Sequence, residues 1–405
     1  MEKIVERFLK YISIDTKSDF NKALSEKPSS PGQWDLAKLL KSELEDLGLE
    51  ATLSDECFVY SEIKANTDKK LPKVGFIAHI DTSPEMDGGI KDPQIIDYEG
   101  GDIKLNDKLA ITPNEFPILN ELVGQTIITT RGETLLGADD KSGVAAIMTM
   151  AEYFINHPEV EHGDIKITFT PDEETGTGAD TFDVELFDAD FAYTVDGGVL
   201  GELEYETFNG CDAKVRIHGK SVHPGSAKNT MVNSLTIANE FDRMLGEVRR
   251  PEHTEDYEGF FHLFNINGGV ENTSMDYIIR DHDRDKFEAK KKEFEANASY
   301  LNNKYGDVIE VELRDSYYNM GDVLKEHPEI VGYAKTAMEN LGIEPIISPV
   351  RGGTDGSKLS FMGLPCPNIF AGGLNFHGVY EMLPIEYMEK SAETIIELVK
   401  VIANK

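Results

Sequence analysis

Carboxylate and imidazole side chains recur in this sequence at the ends of short apolar runs, where they could bind metal ions. His79 and Asp81 follow the run 74–78, and Asp139 and Asp140 follow the run 134–138. The other residues of this kind are Glu173, Glu174, Asp196 and His377. Imidazole and carboxylate ligands without thiolate suit zinc, cobalt or manganese. The pattern therefore predicts a metal centre.

The ligand count favours two metal ions. Three carboxylates and two imidazoles exceed what one open catalytic zinc needs. If one carboxylate bridges, each ion receives one histidine, one terminal carboxylate and a share of Asp139, which is a known hydrolytic arrangement. Glu173, adjacent to a ligand, would then act as the general base toward a metal-bridged water. The predicted ligands are His79, Asp139, Glu174, Asp196 and His377.

Each of these residues also has a simpler explanation. Asp139 or Asp140 could cap a helix, the acidic turn 172–174 could be solvated surface, and a histidine at a strand end is often an ordinary hydrogen-bonded residue. Their occurrence at the ends of separate strands makes capping a poor common explanation. Residues i and i+2 of a strand share a face, so Asp81 could orient His79 as a metal ligand.

The elements that must position these residues predict an α/β fold. Buried strands are expected over 58–63, 74–78, 165–169, 189–195 and just before the glycine loop at 371–373. A hairpin of 125–130 with 134–138 would deliver Asp139 at a strand end, and a helix would follow it. Ligands collect at the carboxyl ends of strands in such sheets. We therefore expect an open mixed sheet, flanked by helices, that carries the dimetal site.

A segment with a different order of strands and helices interrupts this pattern. Between residues 209 and 320 the order is strand, helix, strand, strand, helix, strand, which is the order of a ferredoxin-like module. The predicted division is a catalytic domain in two parts, 1–208 and 321–405, with 209–320 inserted between them.

Composition restricts partners and location. The 405 residues carry 74 acidic and 40 basic side chains, a net charge of −34, which argues against binding to nucleic acid or an anionic membrane. Cys57, Cys211 and Cys366 are isolated, which predicts no disulfide framework and favours a reducing cytoplasm. The N-terminal segment lacks the apolar core of a signal peptide, and no run reaches membrane-spanning length.

Several motifs carry a family resemblance. They are His79-x-Asp81, Gly137–Lys141, Thr170–Glu174, Tyr193–Gly198, Val222–Gly225, Tyr277–Asp281, Arg351–Gly356 and the loop around His377. Over essentially its whole length, the chain resembles the co-catalytic zinc peptidases that include aminoacylases, carnosine-type dipeptidases and carboxypeptidase G. The resemblance implies that Asp139 bridges two zinc ions, Glu173 is the base, Asp81 supports His79, and the Asp139–Asp140 peptide bond is cis.

The resemblance also implies a substrate and an assembly. It points to the branch of the family that removes the N-terminal residue from tripeptides, in which the inserted domain is a lid that also mediates homodimerisation. The resemblance implies that His223 reaches the developing oxyanion. Restriction to tripeptides also requires a cation for the terminal carboxylate. Arg280, on the strand face opposite Tyr277 and Ile279, is the first candidate and Arg351 the second, although Arg280 could instead pair with Asp281 or Asp283. A dipeptidase, carboxypeptidase or N-acyl amino acid hydrolase would share the same ligands, and a non-enzymatic metal-binding module is a distant alternative.

Overall fold

The structure is a computed structural model and describes residues 2–405, which group into two compact units. The first unit contains the chain up to Tyr205, Asp322–Ser348 and Thr354–Lys405. The second contains Glu206–Gly321 and Pro349–Gly353. The predicted insertion, 209–320, omitted 349–353, because nothing local in that stretch indicates the distant residues that it contacts.

The elements are bounded as follows. The strands are β1 (Ala51–Leu53), β2 (Val59–Ile63), β3 (Val74–His79), β4 (Gln94–Asp97), β5 (Ile103–Lys104), β6 (Ala110–Ile111), β7 (Thr126–Thr129), β8 (Ile165–Thr170), β9 (Phe191–Gly197), β10 (Leu203–Glu204), β11 (Asn209–His218), β12 (Phe260–Gly268), β13 (Asn272–Asp281), β14 (Ile309–Tyr317), β15 (Asn368–Phe370) and β16 (Met382–Pro384). The α-helices are α1 (Glu2–Ile12), α2 (Pro31–Asp46), α3 (Ala138–Asn156), α4 (Val184–Phe187), α5 (Ser234–Met244), α6 (Arg284–Tyr305), α7 (Gly321–Leu324), α8 (Pro328–Asn340), α9 (Asp355–Phe361) and α10 (Ile385–Ala403). Among residues 2–405, no helix combines the length and the apolar character needed to cross a membrane.

The main sheet of the first unit is mixed, as predicted. Its strand order is β1-β2-β8-β3-β9-β15-β10. The four central strands, β8, β3, β9 and β15, run parallel, whereas β2 and β10 pair antiparallel at the two sides. All six residues of both β3 and β8 are buried, which is typical of parallel strands covered on both faces. The carboxyl ends of the parallel strands therefore lie side by side at one edge of the sheet.

The predicted hairpin before Asp139 is wrong. β7 pairs with β4 and β16, and residues 134–137 form no strand. The backbone N–H of Leu135 donates to the Asp87 carbonyl, and that of Leu136 donates to the Glu381 carboxylate instead of a strand partner. Asp139 therefore follows a loop rather than a strand. Leu135, Leu136 and Ala138 in this stretch are all buried, which explains why it resembles a short buried strand in the sequence.

The second unit is a four-stranded antiparallel sheet with two helices. The strand order is β12-β13-β11-β14, and α5 and α6 contribute to the core that covers one face. Along the chain, these elements follow the β-α-β-β-α-β order of a ferredoxin-like module. Tyr277 and Ile279 point into this core, so Arg280 lies on the opposite face of β13.

Candidate dimetal active site

His79 ends β3 and is held by a neighbouring carboxylate. Its Nε2 atom lies 2.8 Å from Oδ1 of Asp139 and 3.4 Å from Oδ1 of Asp196. Its Nδ1 atom faces Asp81, 3.1 Å from the backbone oxygen and 3.3 Å from Oδ1. The Asp81 carboxylate also accepts hydrogen bonds from the backbone N–H groups of Glu173 and Glu174, at 3.0 and 3.2 Å. Asp81 thus positions both the imidazole and the acidic turn.

Asp139 lies in a turn that departs from helical geometry at the start of α3. Gly137 has a φ of 81°, in the left-handed region that glycine tolerates best. The Asp139–Asp140 peptide bond is cis, as the family resemblance implies. The Asp140 carboxylate accepts hydrogen bonds from the N–H groups of His79 and Gly143. Asp140 therefore holds the turn against β3, and it is not among the possible metal ligands.

Glu173 and Glu174 lie in a short 3-10 turn that follows β8. The preceding residue, Asp172, is fully buried, and its carboxylate accepts hydrogen bonds from Ser29 and from Gln33 at the start of α2. Asp172 has a φ of 56°, in the left-handed region, where the chain leaves β8 and enters the turn. The contacts of Asp172 anchor this acidic turn to the N-terminal part of the chain.

Asp196 and His377 complete the cluster. Asp196 lies near the end of β9, and its N–H donates to the side-chain oxygen of Asn368 on β15. Nε2 of His377 lies 3.0 Å from Oε2 of Glu174 and 3.2 Å from Oδ2 of Asp139. His377 has a φ of 64°, and its side chain is 42% exposed, so it closes the solvent side of the site.

These side chains form two overlapping groups of possible metal ligands. One group is His79, Asp139 and Asp196, and the other is Asp139, Glu174 and His377. Within each group, the ligand atoms lie within 4.8 Å of one another. Asp139 belongs to both groups, through Oδ1 toward His79 and Oδ2 toward His377. The structure thus brings all five predicted ligands together in the arrangement that a bridging carboxylate requires.

The electrostatics of the cluster fit bound cations. Burial and the Asp139 charge raise the pKa of Glu174 to about 8, and burial raises that of Asp196 to about 6. Hydrogen bonds to Asp139 and Glu174 raise the pKa of His377 to about 11. Oε1 of Glu174 is buried without a hydrogen-bond partner among residues 2–405. Without cations, protons must balance these charges, so divalent ions that displace those protons fit the site.

Glu173 differs from its neighbour. It belongs to neither ligand group. Burial raises the pKa of its carboxyl group well above the usual value, and the Asp196, Asp355 and Glu174 charges add to the effect. A carboxyl group that is adjacent to a ligand and has a raised pKa is suited to accept and release a proton during a reaction.

The predicted substrate-binding residues lie in the second unit. His223 is exposed, and its Nδ1 accepts a hydrogen bond from the Gly225 N–H. Arg280 is half-buried, with its guanidinium over the Tyr317 ring. Arg351 donates to the Asp256 and Glu258 carbonyl oxygens and to Thr254.

Arg351 and Arg280 differ in how many contacts their guanidinium groups make. The guanidinium of Arg351 also lies over the Phe208 and Phe260 rings. Arg280, by contrast, makes one backbone hydrogen bond, of 3.3 Å, to the Ile279 carbonyl. The structure therefore gives Arg351 a role in holding the second unit together and leaves more of the hydrogen-bonding capacity of Arg280 available.

Three supporting carboxylates were not predicted from the sequence. Asp172 anchors the acidic turn as described, and Asp355 accepts hydrogen bonds from Thr170 and from the Ala179 N–H next to that turn. Glu381 is 1% exposed and accepts hydrogen bonds from the turn that carries Asp139. Asp172 and Asp355 lie within motifs of the resemblance, but Glu381 had no signal except its position four residues after His377.

The fold and this cluster of ligands agree with comparisons with known proteins. Residues 132–401 match peptidase family M20/M25/M40, and the chain belongs to this family. The prediction that the protein is a metallopeptidase is thereby confirmed. Over its full length, the chain is similar to peptidase T from Caldanaerobacter subterraneus subsp. tengcongensis, with 54% identity over 410 residues that cover 100% of both chains.

Solved structures extend the likeness in fold. Aminopeptidase PepT from Bacillus cereus ATCC 10987 superposes with a TM-score of 0.80 at 23% identity, covering 99% of this chain and 98% of that one. YxeP from Bacillus subtilis, a dinuclear metal-binding peptidase of the M20 family, gives a TM-score of 0.69 at 13% identity, covering 100% and 98%. At these identities, the likeness concerns the fold.

Proposed function

We propose that this protein is an aminopeptidase that removes the N-terminal residue from tripeptides at a site with two metal ions. The observation that carries the proposal is the shared position of Asp139 between two ligand groups, each with one further carboxylate and one histidine. The full-length similarity to peptidase T supports the tripeptide substrate.

The proposed metal is zinc, with cobalt or manganese as alternatives. Imidazole and carboxylate donors suit all three ions. Cys57, Cys211 and Cys366 are buried free thiols outside both ligand groups. Metal analysis of the protein purified without added metal would identify the resident ion. The cytoplasmic location that the isolated cysteines favour stays a prediction.

The protein residues divide the proposed reaction among themselves. When bound, the two ions would polarise the scissile carbonyl and lower the pKa of water. The Glu173 carboxylate would take the proton from the attacking water as the new C–O bond forms. It would then deliver that proton to the amine nitrogen as the C–N bond breaks. Glu173 would thus end the reaction in the ionised state in which it began. Asp81 would keep His79 and the Glu173 backbone in place during both steps.

A panel of peptides tests the proposed substrate. Free di-, tri- and tetrapeptides whose first and last residues differ would be assayed beside the same tripeptide with an acetylated N-terminus. We expect cleavage of the free tripeptide alone, with release of its first residue. Preferred cleavage of the dipeptide, of the C-terminal residue or of the acetylated peptide would reject the proposal and indicate a dipeptidase, carboxypeptidase or acyl hydrolase respectively.

We propose further that the second unit serves as a lid and forms a homodimer interface. β12 lies at one side of its sheet, and Phe264 and Ile266 on that strand are 56% and 50% exposed. Apolar side chains on an exposed edge strand favour pairing with another chain. Replacing Phe264 and Ile266 with lysine is expected to yield monomers in sedimentation experiments, whereas unchanged dimers would exclude this edge as the interface.

A dimer would allow His223 to act in the site of the partner subunit. Loss of one oxyanion donor costs about 2.7 to 4 kcal/mol in the barrier. The His223→Ala homodimer should therefore be nearly inactive, and the Glu173→Gln homodimer should be nearly inactive because it lacks the proposed base. A mixture of the two should recover activity, because a hybrid dimer contains one intact site. Absence of recovery despite demonstrated subunit exchange would rule out a contact across the dimer.

A further inference from the structure

The buried carboxylate of Glu381 accepts hydrogen bonds from the turn that carries Asp139. Its Oε2 atom accepts hydrogen bonds from the N–H groups of Leu136 at 2.7 Å and Gly137 at 2.8 Å. Its Oε1 atom accepts the N–H of Asp139 at 3.0 Å. Glu381 is 1% exposed, so these contacts are shielded from water. One side chain thus satisfies three backbone donors of a segment that has no strand partner.

Glu381 also belongs to the loop that carries His377. The reciprocal backbone hydrogen bonds between Leu374 and Met382, at 2.9 and 3.0 Å, close this loop. Within it, the Glu381 N–H donates to the Gly378 carbonyl. The loop lies close to the Asp139 turn, since a Cβ atom added at Gly373 would come within 2.9 Å of the Ala138 Cβ. The loop and the turn therefore meet at Glu381.

The other ligands do not depend on Glu381. His79 ends a buried central strand, and Asp196 lies near the end of the neighbouring strand β9. Glu174 is held through Asp81 and the anchored acidic turn. In the group of Asp139, Glu174 and His377, two ligands come from segments that Glu381 joins. In the other group, Glu381 supports only Asp139.

We propose that Glu381 is a positioning residue that fixes Asp139 relative to His377 and thereby sets the affinity of the Asp139, Glu174 and His377 site for its metal ion. This inference rests on the dimetal site proposed above. Glu381 contacts backbone donors of the ligand turn rather than the candidate ligand atoms. Its role is therefore to hold ligand geometry, and its loss should weaken one metal site far more than the other.

Two substitutions at Glu381 and one matched control test this assignment. Glu381→Ala removes all three acceptor contacts. Glu381→Gln keeps the size of the side chain but replaces one acceptor oxygen with an NH₂ group, which must face a backbone donor. The control is Glu386→Gln. The Glu386 carboxylate also accepts a backbone hydrogen bond, but from Thr126 rather than from the Asp139 turn or the His377 loop.

The readout is the number of zinc ions retained at buffered free zinc concentrations, with binding followed by chelator competition. We expect two ions for the wild type and for Glu386→Gln. At the same free zinc, Glu381→Ala should retain one ion, and Glu381→Gln should bind the second ion about 10- to 100-fold more weakly, the range known for residues that orient metal ligands. Raising free zinc should restore the peptidase activity of Glu381→Gln but not that of Glu173→Gln.

Two results separate the possible failures. If the wild type itself binds fewer than two ions, the proposed dimetal function fails, whatever Glu381 does. If the wild type binds two ions and Glu381→Gln binds both with unchanged affinity, the positioning role is overturned. The glutamine variant keeps side-chain volume, so this measurement remains decisive even if Glu381→Ala does not fold.

Discussion

Replacing Glu173 with glutamine should separate catalysis from metal binding. The substitution keeps the shape of the side chain and removes its capacity to accept and release a proton. The backbone N–H of Glu173 still donates to Asp81 at 3.0 Å, so the turn that presents Glu174 is retained. Neither ligand group contains Glu173. We therefore expect both metal ions to bind as in the wild type while the reaction slows.

The expected loss of activity can be given a size. General acid or base catalysis contributes about 10² to 10⁴ in rate, which corresponds to about 2.7 to 5.4 kcal/mol in the barrier. Glu173 performs both proton transfers in the proposed mechanism, so the loss should lie near the upper end. The Asp196, Asp355 and Glu174 charges all oppose ionisation of Glu173. The metal-free variant should therefore be at least as resistant to unfolding as the metal-free wild type.

The assay compares kcat, KM, bound metal and thermal unfolding for Glu173→Gln and Glu174→Gln. For Glu173→Gln, we expect a large drop in kcat, little change in KM and full metal content. For Glu174→Gln, we expect loss of metal from the site shared with His377. Equal loss of metal in the two variants, or a loss of activity below tenfold in Glu173→Gln, would refute this division of roles.

Three further predictions follow from the same structure. Asp139→Ala should empty both metal sites, because Asp139 belongs to both ligand groups, and one tightly held equivalent would show that it does not bridge. Arg280→Ala and amidation of the tripeptide C-terminus should each lower kcat/KM by a similar factor, with little further loss on combination, whereas additive losses would remove Arg280 from carboxylate binding. Burial lowers the pKa of His282. Below about pH 6.5, the imidazole is therefore protonated more readily in the unfolded chain than in the native protein. The free energy of unfolding should consequently fall with decreasing pH. Denaturant titrations at pH 7.5 and 5.5 should show a smaller fall for His282→Gln, and equal falls would contradict this cause.

Much of the fold could be predicted because its strands and helices have local signatures. The apolar run before His79 forms β3, and the order of strands and helices predicted for the insertion is the order of β11, α5, β12, β13, α6 and β14. The ligands at strand ends were predictable for the same reason, since parallel strands place their carboxyl ends together. Apolar patterns and strand topology together therefore predict that His79, Glu174 and Asp196 lie at the same edge of the main sheet.

What could not be predicted depends on contacts between distant residues. The stretch before Asp139 is apolar like a buried strand, but its Leu136 N–H donates to the Glu381 side chain, 245 residues away. An apolar run indicates that a segment is buried but does not indicate which acceptors bind its backbone N–H groups. Similarly, Arg351 bonds to carbonyl oxygens more than 90 residues earlier, so the sequence alone left it as a possible substrate ligand.

The position of β3 in the sheet has a consequence for the newly synthesised chain. β3 ends at His79, but its two neighbours, β8 and β9, begin only at Ile165 and Phe191. At translation rates of about 5 to 20 residues per second, roughly 4 to 17 s separate the synthesis of β3 from that of its first neighbour. During that interval, an apolar strand has both edges unpaired, which is the condition under which nascent chains aggregate or recruit chaperones. The strand that supplies His79 is therefore the one whose protection during synthesis should matter most for the yield of folded enzyme.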